Sequence, residues 1–334
     1  MVALNVCPST LASGFTEYSK PALKALFDGK KVSFQLPYEA LDADRETAIQ
    51  VQKGNGRISL SGVQSKYAMI VENGQLRFTH EGEQGRYILK PIPTSNIILD
   101  RAFCPANEHL SMQIAHQVYG IETAANGLCF FGNGQPAYVT RRFDIRPDGG
   151  KYSMEDFAAV AGLNTDNGGE NYKYDKLSYE DCAELIKKHV KAAPIEILKF
   201  FRLVIFNYLI CNDDAHLKNF TLIERSKGDY VLAPAYDLMN TFLHLAEPSV
   251  FALQKGLFKE GMYLTDTHSV NGKSFVEFGV RIGLSNKIIN NELERFAAVY
   301  PQLTTLIENS FLSDRLKKDY VQTLDYRRIT LKQK

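Results

Sequence analysis

The alternation of hydrophobic and polar residues in the first half of the chain predicts short β-strands. The segments KYAMIV (66–71), QLRFTH (75–80) and RYILK (86–90) are rich in β-branched and aromatic residues, and the turn-like sequences ENG and EGEQG separate them. Together they predict an antiparallel meander. Two further strands are expected around GLCFF (127–131) and AYVTRRF (137–143).

A helical pattern interrupts these strands once and dominates the second half. PANEHLSMQIAHQVYG (105–120) has Leu110, Ile114 and Val118 at successive i+4 positions, with a proline near its start and a glycine at its end. It therefore predicts a helix. From SMEDFAAVAGL (153–163) onward the signals are mainly helical.

Two helices of the second half have recognisable starts. Ser178 followed by Asp181 has the spacing of a capping box, and Pro194 begins the next helix. That next helix has an apolar face formed by Leu198, Phe201, Ile205 and Leu209. We expect both helices to pack against the core.

A hairpin separates these helices from those nearer the C-terminus. FTLIE (220–224) and DYVLAP (229–234), joined by RSKG, predict its two strands, and helices are expected again from Asn286. Residues 1–55 show no clear period, whereas proline and paired glycines in DIRPDGG (144–150) predict a hinge. The expected fold class is α+β, with a β-rich N-lobe over 1–145 and a mainly helical C-lobe over 146–334.

Composition adds limits to the function. The 334 residues include 39 basic and 38 acidic side chains, so the net charge of +1 gives no general attraction to nucleic acid or membrane. Five widely spaced cysteines without a CxxC pair are typical of reduced thiols in a cytoplasmic protein. The most apolar stretch, 200–211, is interrupted by Arg202 and is too short to cross a bilayer. With no signal-peptide pattern at the start, we expect a cytoplasmic protein without membrane contact.

The most polar segment lies beside the most apolar helix. NDDAHLKNF (212–220) places Asp214 five residues before Asn219, and Asp237 follows the hairpin. Protein kinases use this order: an Asp base, an Asn that binds magnesium, and a later metal-binding Asp. Asp213 competes with Asp214 for the first role, and the spacing favours Asp214. A solvated polar turn is an equally good interpretation of this segment alone, because DxxxxN recurs by chance.

The first half contains a second pair of residues that kinases require. Lys90 ends the strand RYILK, and Glu108 lies in the first turn of the next predicted helix. A strand lysine that contacts nucleotide phosphates and a helix glutamate that holds it form the other part of a kinase site. Each residue alone is commoner as a solvated lysine or as an acid at a helix start. Their order relative to Asp214, Asn219 and Asp237 makes the kinase interpretation stronger than any single match.

Seven segments together resemble the HipA-type serine/threonine kinases, the toxin components of bacterial toxin–antitoxin systems. The resemblance covers roughly residues 57–330, in the family's order. The segments are SLSGVQSKYAMI (59–70), YILKP (87–91), NEHLSMQIA (107–115), TRRFD (140–144), MEDFA (154–158), NDDAHLKNF (212–220) and APAYDL (233–238).

The resemblance implies ATP and Mg²⁺ as cofactors and assigns roles by position. Asp214 becomes the catalytic base, and Asn219 and Asp237 become the magnesium ligands. Lys90 becomes the phosphate-contacting lysine, with Glu108 as its acidic neighbour.

Four further residues receive roles in binding the nucleotide. The segment RRF (141–143) matches the connection between lobes that receives adenine, which assigns this contact to Arg142 and Phe143. Members of the family often have an acidic residue where Arg141 stands. His216 and Lys218 lie inside the catalytic loop, and we interpret His216 as a hydrogen bonder of the scaffold rather than a proton carrier.

The segment SLSGVQSK takes the place of the loop that covers the phosphates. The resemblance implies autophosphorylation here, at Ser59 or at Ser61 two residues further on, next to the loop's one glycine, Gly62. An added phosphate carries a charge of about −1.5 to −2, so it should repel the nucleotide and inactivate the kinase. The simpler alternative is a strand end with both hydroxyls in water.

In length the chain looks more like the short HipT kinases of tripartite HipBST systems. Full-size HipA has an extra N-terminal subdomain, and the chain has little room for one before Ser59. This likeness implies a small HipS-like antitoxin and a HipB-like DNA-binding protein as partners, with DNA reached only through the latter. The implied substrate is an aminoacyl-tRNA synthetase, the tryptophanyl enzyme for HipT-like kinases or the glutamyl enzyme for HipA-like ones, whose phosphorylation halts translation.

Two other functions fit the same pattern. A kinase of this fold could phosphorylate a small alcohol such as a lipid or sugar. A degenerate kinase could bind nucleotide or an antitoxin without catalysis, although the presence of Lys90, Asp214, Asn219 and Asp237 argues against degeneracy.

Overall fold

The computed structural model describes residues 2–40, 64–262 and 269–333. The strands are β1 (Tyr67–Glu72), β2 (Gln75–Phe78), β3 (Tyr87–Lys90), β4 (Asn126–Phe130), β5 (Pro136–Arg141), β6 (Met154–Asp156), β7 (Thr221–Ser226) and β8 (Asp229–Leu232). The helices are α1 (Lys20–Phe27), α2 (Cys104–Gln117), α3 (Phe157–Val160), α4 (Thr165–Gly168), α5 (Tyr172–Asp175), α6 (Tyr179–His189), α7 (Ala193–Leu209), α8 (Gly272–Arg281), α9 (Asn286–Ala297), α10 (Pro301–Glu308) and α11 (Asp314–Leu331).

The chain divides into two units, and neither is a continuous segment. The first unit comprises residues 1–145 with 243–246 and 300–319, and the second comprises 146–242, 247–299 and 320–334. The expected division into lobes of 1–145 and 146–334 stays a prediction. The units differ from it because two later segments belong to the first unit.

The first unit contains a five-stranded antiparallel sheet with the strand order β2-β1-β3-β5-β4. Strand β1 pairs with both β2 and β3, so the predicted meander is wrong: the third strand lies beside the first rather than the second. The other two predicted strands of this half are confirmed as β4 and β5.

One face of this sheet packs against the N-terminal segment. Tyr87 and Leu89 on β3 share a buried hydrophobic cluster with Leu26 and Phe27 of α1. The sequence did not predict α1, although Ser19 caps it by accepting the Ala22 N–H and Pro21 stands in its first turn. Burial of this amphipathic helix against the sheet stabilises it more than its local propensity could.

Helix α2, predicted over 105–120, begins at Cys104 and ends at Gln117. Most of its side chains are buried, including the polar Asn107, Glu108 and His109. Buried polar groups require hydrogen-bonding or charged partners. The partners of Glu108 and His109 are described with the candidate site.

The second unit contains a three-stranded antiparallel sheet with the order β6-β7-β8. The hairpin β7–β8 was predicted, whereas β6 was expected to be helical. Its last residue, Asp156, caps α3 by accepting the Ala159 N–H, so strand and helix meet without a loop.

The helices of the second unit follow their predicted starts. Ser178 and Asp181 form a capping box for α6, and Pro194 lies in the first turn of α7. Helices resume at Gly272 rather than near Asn286, because Asn271 caps α8. None of the helices in the described ranges has both the length and the apolar character that crossing a bilayer requires.

Candidate active site

Lys90 and Glu108 form a buried ion pair in the first unit. Lys90 Nζ lies 2.6 Å from Glu108 Oε1, and their side chains are only 4% and 1% exposed. In the sheet register Lys90 lies opposite Tyr138, whose ring centroid is 5.3 Å from Nζ. Desolvating two charges is costly unless the geometry is good. The strand end and the first part of α2 together hold this lysine in place.

The neighbour of Glu108 ties α2 to the N-terminal segment. His109 Nε2 lies 2.7 Å from the Ser9 carbonyl oxygen, so this nitrogen carries the donated hydrogen. Complete burial lowers the pKa of His109 to about 4, which keeps the ring neutral at pH 7. One turn before the helix end, Gln113 Nε2 donates to the Asn126 side chain at 3.0 Å. These contacts fix the helix that presents Glu108.

The three residues expected near adenine lie at the end of β5 and just beyond it. Arg141 forms an ion pair of 2.5 Å with Asp28, the residue that follows α1. Arg142 donates two hydrogen bonds to Asp144 at 2.9 and 2.5 Å. Phe143 between them is half-buried. Arg141 thus has a structural contact with the end of α1. The adenine contacts of Arg142 and Phe143 stay predictions.

In the second unit, the candidate catalytic loop follows a left-handed residue. Helix α7 is strongly apolar and ends at Leu209, and Cys211 then has a φ of +54°. This conformation is uncommon for a residue with a Cβ. It ends the helical path and turns the chain into the polar loop 212–219. Arg327 of α11 braces this point, with Nε 3.4 Å from Cys211 Sγ.

Asp213 and Asp214 have different environments although both are buried. The Asp213 carboxylate accepts the Ser249 N–H at 2.8 Å, and its own N–H bonds to Thr241 Oγ1. Asp214 Oδ1 instead accepts the Tyr174 hydroxyl at 3.0 Å. Asp213 therefore ties the loop backbone to a distant segment, whereas Asp214 is held through a side chain.

Asn219 and Asp237 complete the predicted set. Asn219 ends a short 3-10 turn and is buried, and its Nδ2 has no hydrogen-bond partner among the described residues. Asp237 follows β8 with a φ of +55°. Asn212 joins the two parts of the loop, because its Oδ1 accepts the Asp214 N–H at 3.2 Å and its Nδ2 lies 3.5 Å from the Asp237 carbonyl oxygen.

These residues fit a magnesium ion. Amide and carboxylate oxygens are hard ligands of the kind that Mg²⁺ prefers, and proteins often supply only one or two carboxylates while the nucleotide supplies the rest. Within 2–40, 64–262 and 269–333, no three His, Cys, Asp or Glu side chains lie together as a metal site. A divalent ion held by Asn219 and Asp237 would therefore need further oxygen atoms from a bound nucleotide.

His216 differs from its predicted role. Among the described residues neither ring nitrogen has a hydrogen-bond partner, and Nε2 lies 4.0 Å from Asp214 Oδ1. Burial, with a smaller contribution from the charge of Lys173, lowers the pKa of His216 to about 3. The ring is thus neutral at pH 7 and packs edge-on against Tyr174, so it supports the loop by packing rather than by hydrogen bonds.

Lys218 lies on the exposed side of the same loop. Its side chain is 47% exposed, and Nζ lies 3.8 Å from Asp156 Oδ2. Tyr236 donates its hydroxyl to the Lys218 carbonyl oxygen at 2.8 Å. The nucleotide contacts of Lys218 and His216 stay predictions. Ser59, Ser61 and Gly62 lie outside the described residues, so their predicted roles rest on the sequence alone.

Sequence reasoning missed Tyr174 and Asn212. Tyr174 lies 40 residues before Asp214, in a segment, NYKYDK, that has no helical or strand period. Asn212 directly precedes Asp213 and Asp214, and the kinase pattern assigns a role to an acid of this segment but none to an Asn before it. Neither could be assigned without the fold, since nothing local indicates which polar atom each side chain reaches.

Comparison with solved structures defines the class of fold. The HipA chain of a Shewanella oneidensis complex of HipA, HipB and operator DNA superimposes with a TM-score of 0.66 at 18% identity, covering 88% of this chain and 74% of that one. The Helicobacter pylori proinflammatory kinase CtkA gives a TM-score of 0.50 at 17% identity, covering 79% and 90%. The predicted α+β, kinase-like fold is confirmed.

Comparison of sequences defines the family. The model of the HipA-like C-terminal domain matches residues 58–303. A Haemophilus influenzae protein named "Putative kinase" is 30% identical over 291 residues, which is 83% of this chain and 81% of the relative. A Sinorhizobium fredii protein named "Putative kinase Y4dM" is 30% identical over 286 residues, 79% of this chain and 65% of the relative.

The chain therefore belongs to the HipA-like C-terminal domain family. The names of its relatives and its fold both indicate a kinase. A kinase uses ATP. The resemblance to HipA-type proteins is confirmed at the level of the family.

Proposed function

We propose that the protein is a serine/threonine protein kinase that transfers the γ-phosphoryl group of ATP to a serine of an aminoacyl-tRNA synthetase. The observation that carries this proposal is the buried Lys90–Glu108 pair at 2.6 Å. Kinases need a strand lysine held by a helix glutamate, and here both charges are buried in that arrangement despite the desolvation that it requires.

The chain's own residues would divide the chemistry between them. The serine Oγ attacks the γ-phosphorus, an O–P bond forms, and the bond from that phosphorus to the β,γ-bridging oxygen breaks, so ADP leaves with the electron pair. Asp214 orients the serine hydroxyl and accepts its proton, while Lys90 stabilises negative charge on the phosphates. Asn219 and Asp237 would hold Mg²⁺, which when bound supplies positive charge against the phosphate oxygens.

The finer identity that we propose is a HipT-like toxin of a tripartite toxin–antitoxin system. Its support is the resemblance of the segments CPSTL (7–11) and SLS (59–61) to that subgroup. On this basis the substrate is tryptophanyl-tRNA synthetase, and the partners are a HipS-like antitoxin and a HipB-like DNA-binding protein. Ser59 or Ser61 would be the site of autophosphorylation, which would inactivate the kinase by charge repulsion.

The test compares two adjacent acids with one readout. Purified wild-type, Asp214→Asn and Asp213→Asn proteins are given labelled ATP and a bacterial lysate, and phosphorylated proteins are identified by mass spectrometry. We expect Asp214→Asn to lower transfer by about 10²- to 10⁴-fold, because the general base is lost. Asp213→Asn should stay within about threefold of wild type, because its amide oxygen still accepts a hydrogen bond from Ser249.

Each result has a distinct meaning. A labelled tryptophanyl- or glutamyl-tRNA synthetase identifies the substrate. Intact mass spectrometry shows whether the kinase carries phosphate, and fragmentation of its proteolytic peptides shows whether that phosphate lies in the 59–61 segment. ATP consumption with label only in small molecules would replace the proposal with a small-molecule kinase. Equal activity of the Asp214→Asn and wild-type proteins would refute the role of Asp214 as base.

A further inference from the structure

A tyrosine far away in sequence reaches the proposed base. Tyr174 donates its hydroxyl to Asp214 Oδ1 at 3.0 Å, and its side chain is 1% exposed. It comes from the short helix α5, 40 residues before Asp214. A phenol is a donor at neutral pH, and a hydrogen bond to a carboxylate is stronger than one between neutral groups.

The surroundings of Tyr174 fix the position of this hydroxyl. Its carbonyl oxygen accepts the Gln254 N–H at 2.8 Å, and its own N–H bonds to the Asn171 carbonyl oxygen at 2.8 Å. Its ring meets His216 edge-on, with 5.1 Å between centroids. Lys173 Nζ lies 5.0 Å from the centroid of the Tyr174 ring. The phenol is therefore held by backbone bonds and ring packing, independently of the carboxylate that it contacts.

Such a contact matters because a carboxylate rotates readily. The last torsion of an Asp side chain has broad minima, so its oxygen atoms sweep through space unless a partner fixes them. A base that must meet a substrate hydroxyl within hydrogen-bond distance loses rate when its orientation varies.

We propose that Tyr174 is a positioning residue for phosphoryl transfer, holding the Asp214 carboxylate in the orientation that receives the proton of the substrate serine. This inference rests on the proposed function. Tyr174 touches neither substrate nor nucleotide in this role; it acts only through Asp214.

The chain offers a matched control. Tyr179 is also 1% exposed, and its hydroxyl donates to the carbonyl oxygen of Ala215, the residue after Asp214, at 3.0 Å. Removing its hydroxyl perturbs the same loop through the backbone and leaves the bond between Tyr174 and Asp214 in place. The two tyrosines thus separate an effect on the carboxylate from an effect on the loop.

The kinetic experiment uses Tyr174→Phe and Tyr179→Phe in the full chain, with the protein substrate that the labelling experiment above identifies. We expect Tyr174→Phe to lower kcat by about 10- to 100-fold while KM for ATP changes less than about twofold, because only the geometry of the base is affected. Tyr179→Phe should lower kcat by less than about threefold. Unchanged kcat in Tyr174→Phe, or equal losses in the two variants, would overturn the proposal.

A thermodynamic experiment tests the contact without any substrate. Melting temperatures of Tyr174→Phe, Asp214→Ala and the double variant form a double-mutant cycle. We expect the shift of the double variant to differ from the sum of the single shifts, whereas additive shifts would overturn the proposal. Coupled shifts in the variants, together with a wild-type protein that transfers no phosphate, would leave the contact standing but refute the proposed function, and with it the positioning role of Tyr174.

Discussion

Asp237 combines a predicted metal-ligand role with an uncommon backbone conformation. Its φ of +55° lies in the left-handed region, where a residue with a Cβ is disfavoured by about 1–2 kcal/mol. Asp and Asn tolerate this region better than other residues, and strained positions concentrate at functional sites. If Asp237 has the proposed metal-ligand role, its carboxylate is needed for activity and its backbone conformation costs stability.

This interpretation predicts that two substitutions of Asp237 differ in stability but not in activity. Glycine has no penalty in the left-handed region, so Asp237→Gly should be more stable than Asp237→Ala by about 1 kcal/mol in urea unfolding. Both variants should lose phosphate transfer, because neither has a carboxylate.

A position in the same unit serves as a control, because glycine should lower the stability there instead of raising it. Ala298 has a φ of −70°, so Ala298→Gly should destabilise by about 0.4–1 kcal/mol through the entropy of the unfolded chain. Equal stability of the Gly and Ala variants at position 237 would show that its conformation stores no strain.

At this scale the sequence supplied the types of residue but not their contacts. The DxxxxN spacing favoured Asp214 over Asp213 as the base, and that assignment stays a prediction. The structure adds that Asp213 bonds to Ser249 and Asp214 to Tyr174. Spacing could not reveal those bonds, because they join side chains to segments that are distant in sequence. The sequence predicted hydrogen bonds for His216, but its ring packs against Tyr174, which is also distant in sequence.

Among the elements, β3 and α2 are joined by the charges that they bury. Sequence order predicted that Lys90 and Glu108 would pair, and the structure places them 2.6 Å apart. A buried pair of this kind contributes little net stability, but the loss of one partner leaves the other charge uncompensated. The pair therefore holds the lysine in place. It also means that a change to either charged residue destabilises both β3 and α2.

Single and double variants should show this dependence. Lys90→Met should destabilise the protein by about 3–5 kcal/mol, since it leaves the Glu108 carboxylate buried without its cation. Adding Glu108→Gln should recover part of that loss, because the glutamine is neutral. Urea unfolding of wild-type, single and double variants measures both effects, and a double variant no more stable than Lys90→Met would contradict the explanation.

The sequence predicted best the elements that have a long periodic pattern or a recognisable start. Helices α2, α6 and α7 have periodic apolar faces and recognisable starts. Strand β6 has only three residues and pairs with β7, 65 positions later along the chain at Asp156 and Thr221, so no local pattern could indicate it. The pairing of β1 with β3 likewise depends on the sheet, because a strand pattern carries no information about its neighbours.

The whole molecule includes more than the family domain. The family match begins at residue 58, yet Cys7, Leu26 and Phe27 belong to the buried core of the first unit. The contact between Ser9 and His109 joins this N-terminal segment to the helix that carries Glu108. Sequence patterns left residues 1–55 without elements. Within the described part of this segment, 2–40, apolar residues such as Leu26 and Phe27 pack against a sheet formed later in the chain, which no local pattern indicates.

The free energy of unfolding should decrease in mild acid, because His109 is buried as a neutral ring. The pKa of His109 is about 4 in the folded protein and that of an unfolded histidine is about 6.5, so the unfolded chain binds the proton first as pH falls. Stability from the neutral ring is complete above about pH 6.5 and is lost as pH falls toward 4. At pH 5 the loss from His109 amounts to about 2 kcal/mol. His216, whose pKa is lowered to about 3, adds a loss of the same sign.

The variant that isolates this effect is His109→Gln, whose amide can still donate to the Ser9 carbonyl oxygen but does not titrate. Its free energy of unfolding should fall less between pH 7 and pH 5 than that of the wild type, by about 2 kcal/mol. His116→Gln, on the exposed side of the same helix, serves as the control and should keep the wild-type dependence. Parallel curves for His109→Gln and wild type would mean that this histidine is not held neutral by burial, and that the N-terminal segment joins α2 through a contact insensitive to pH.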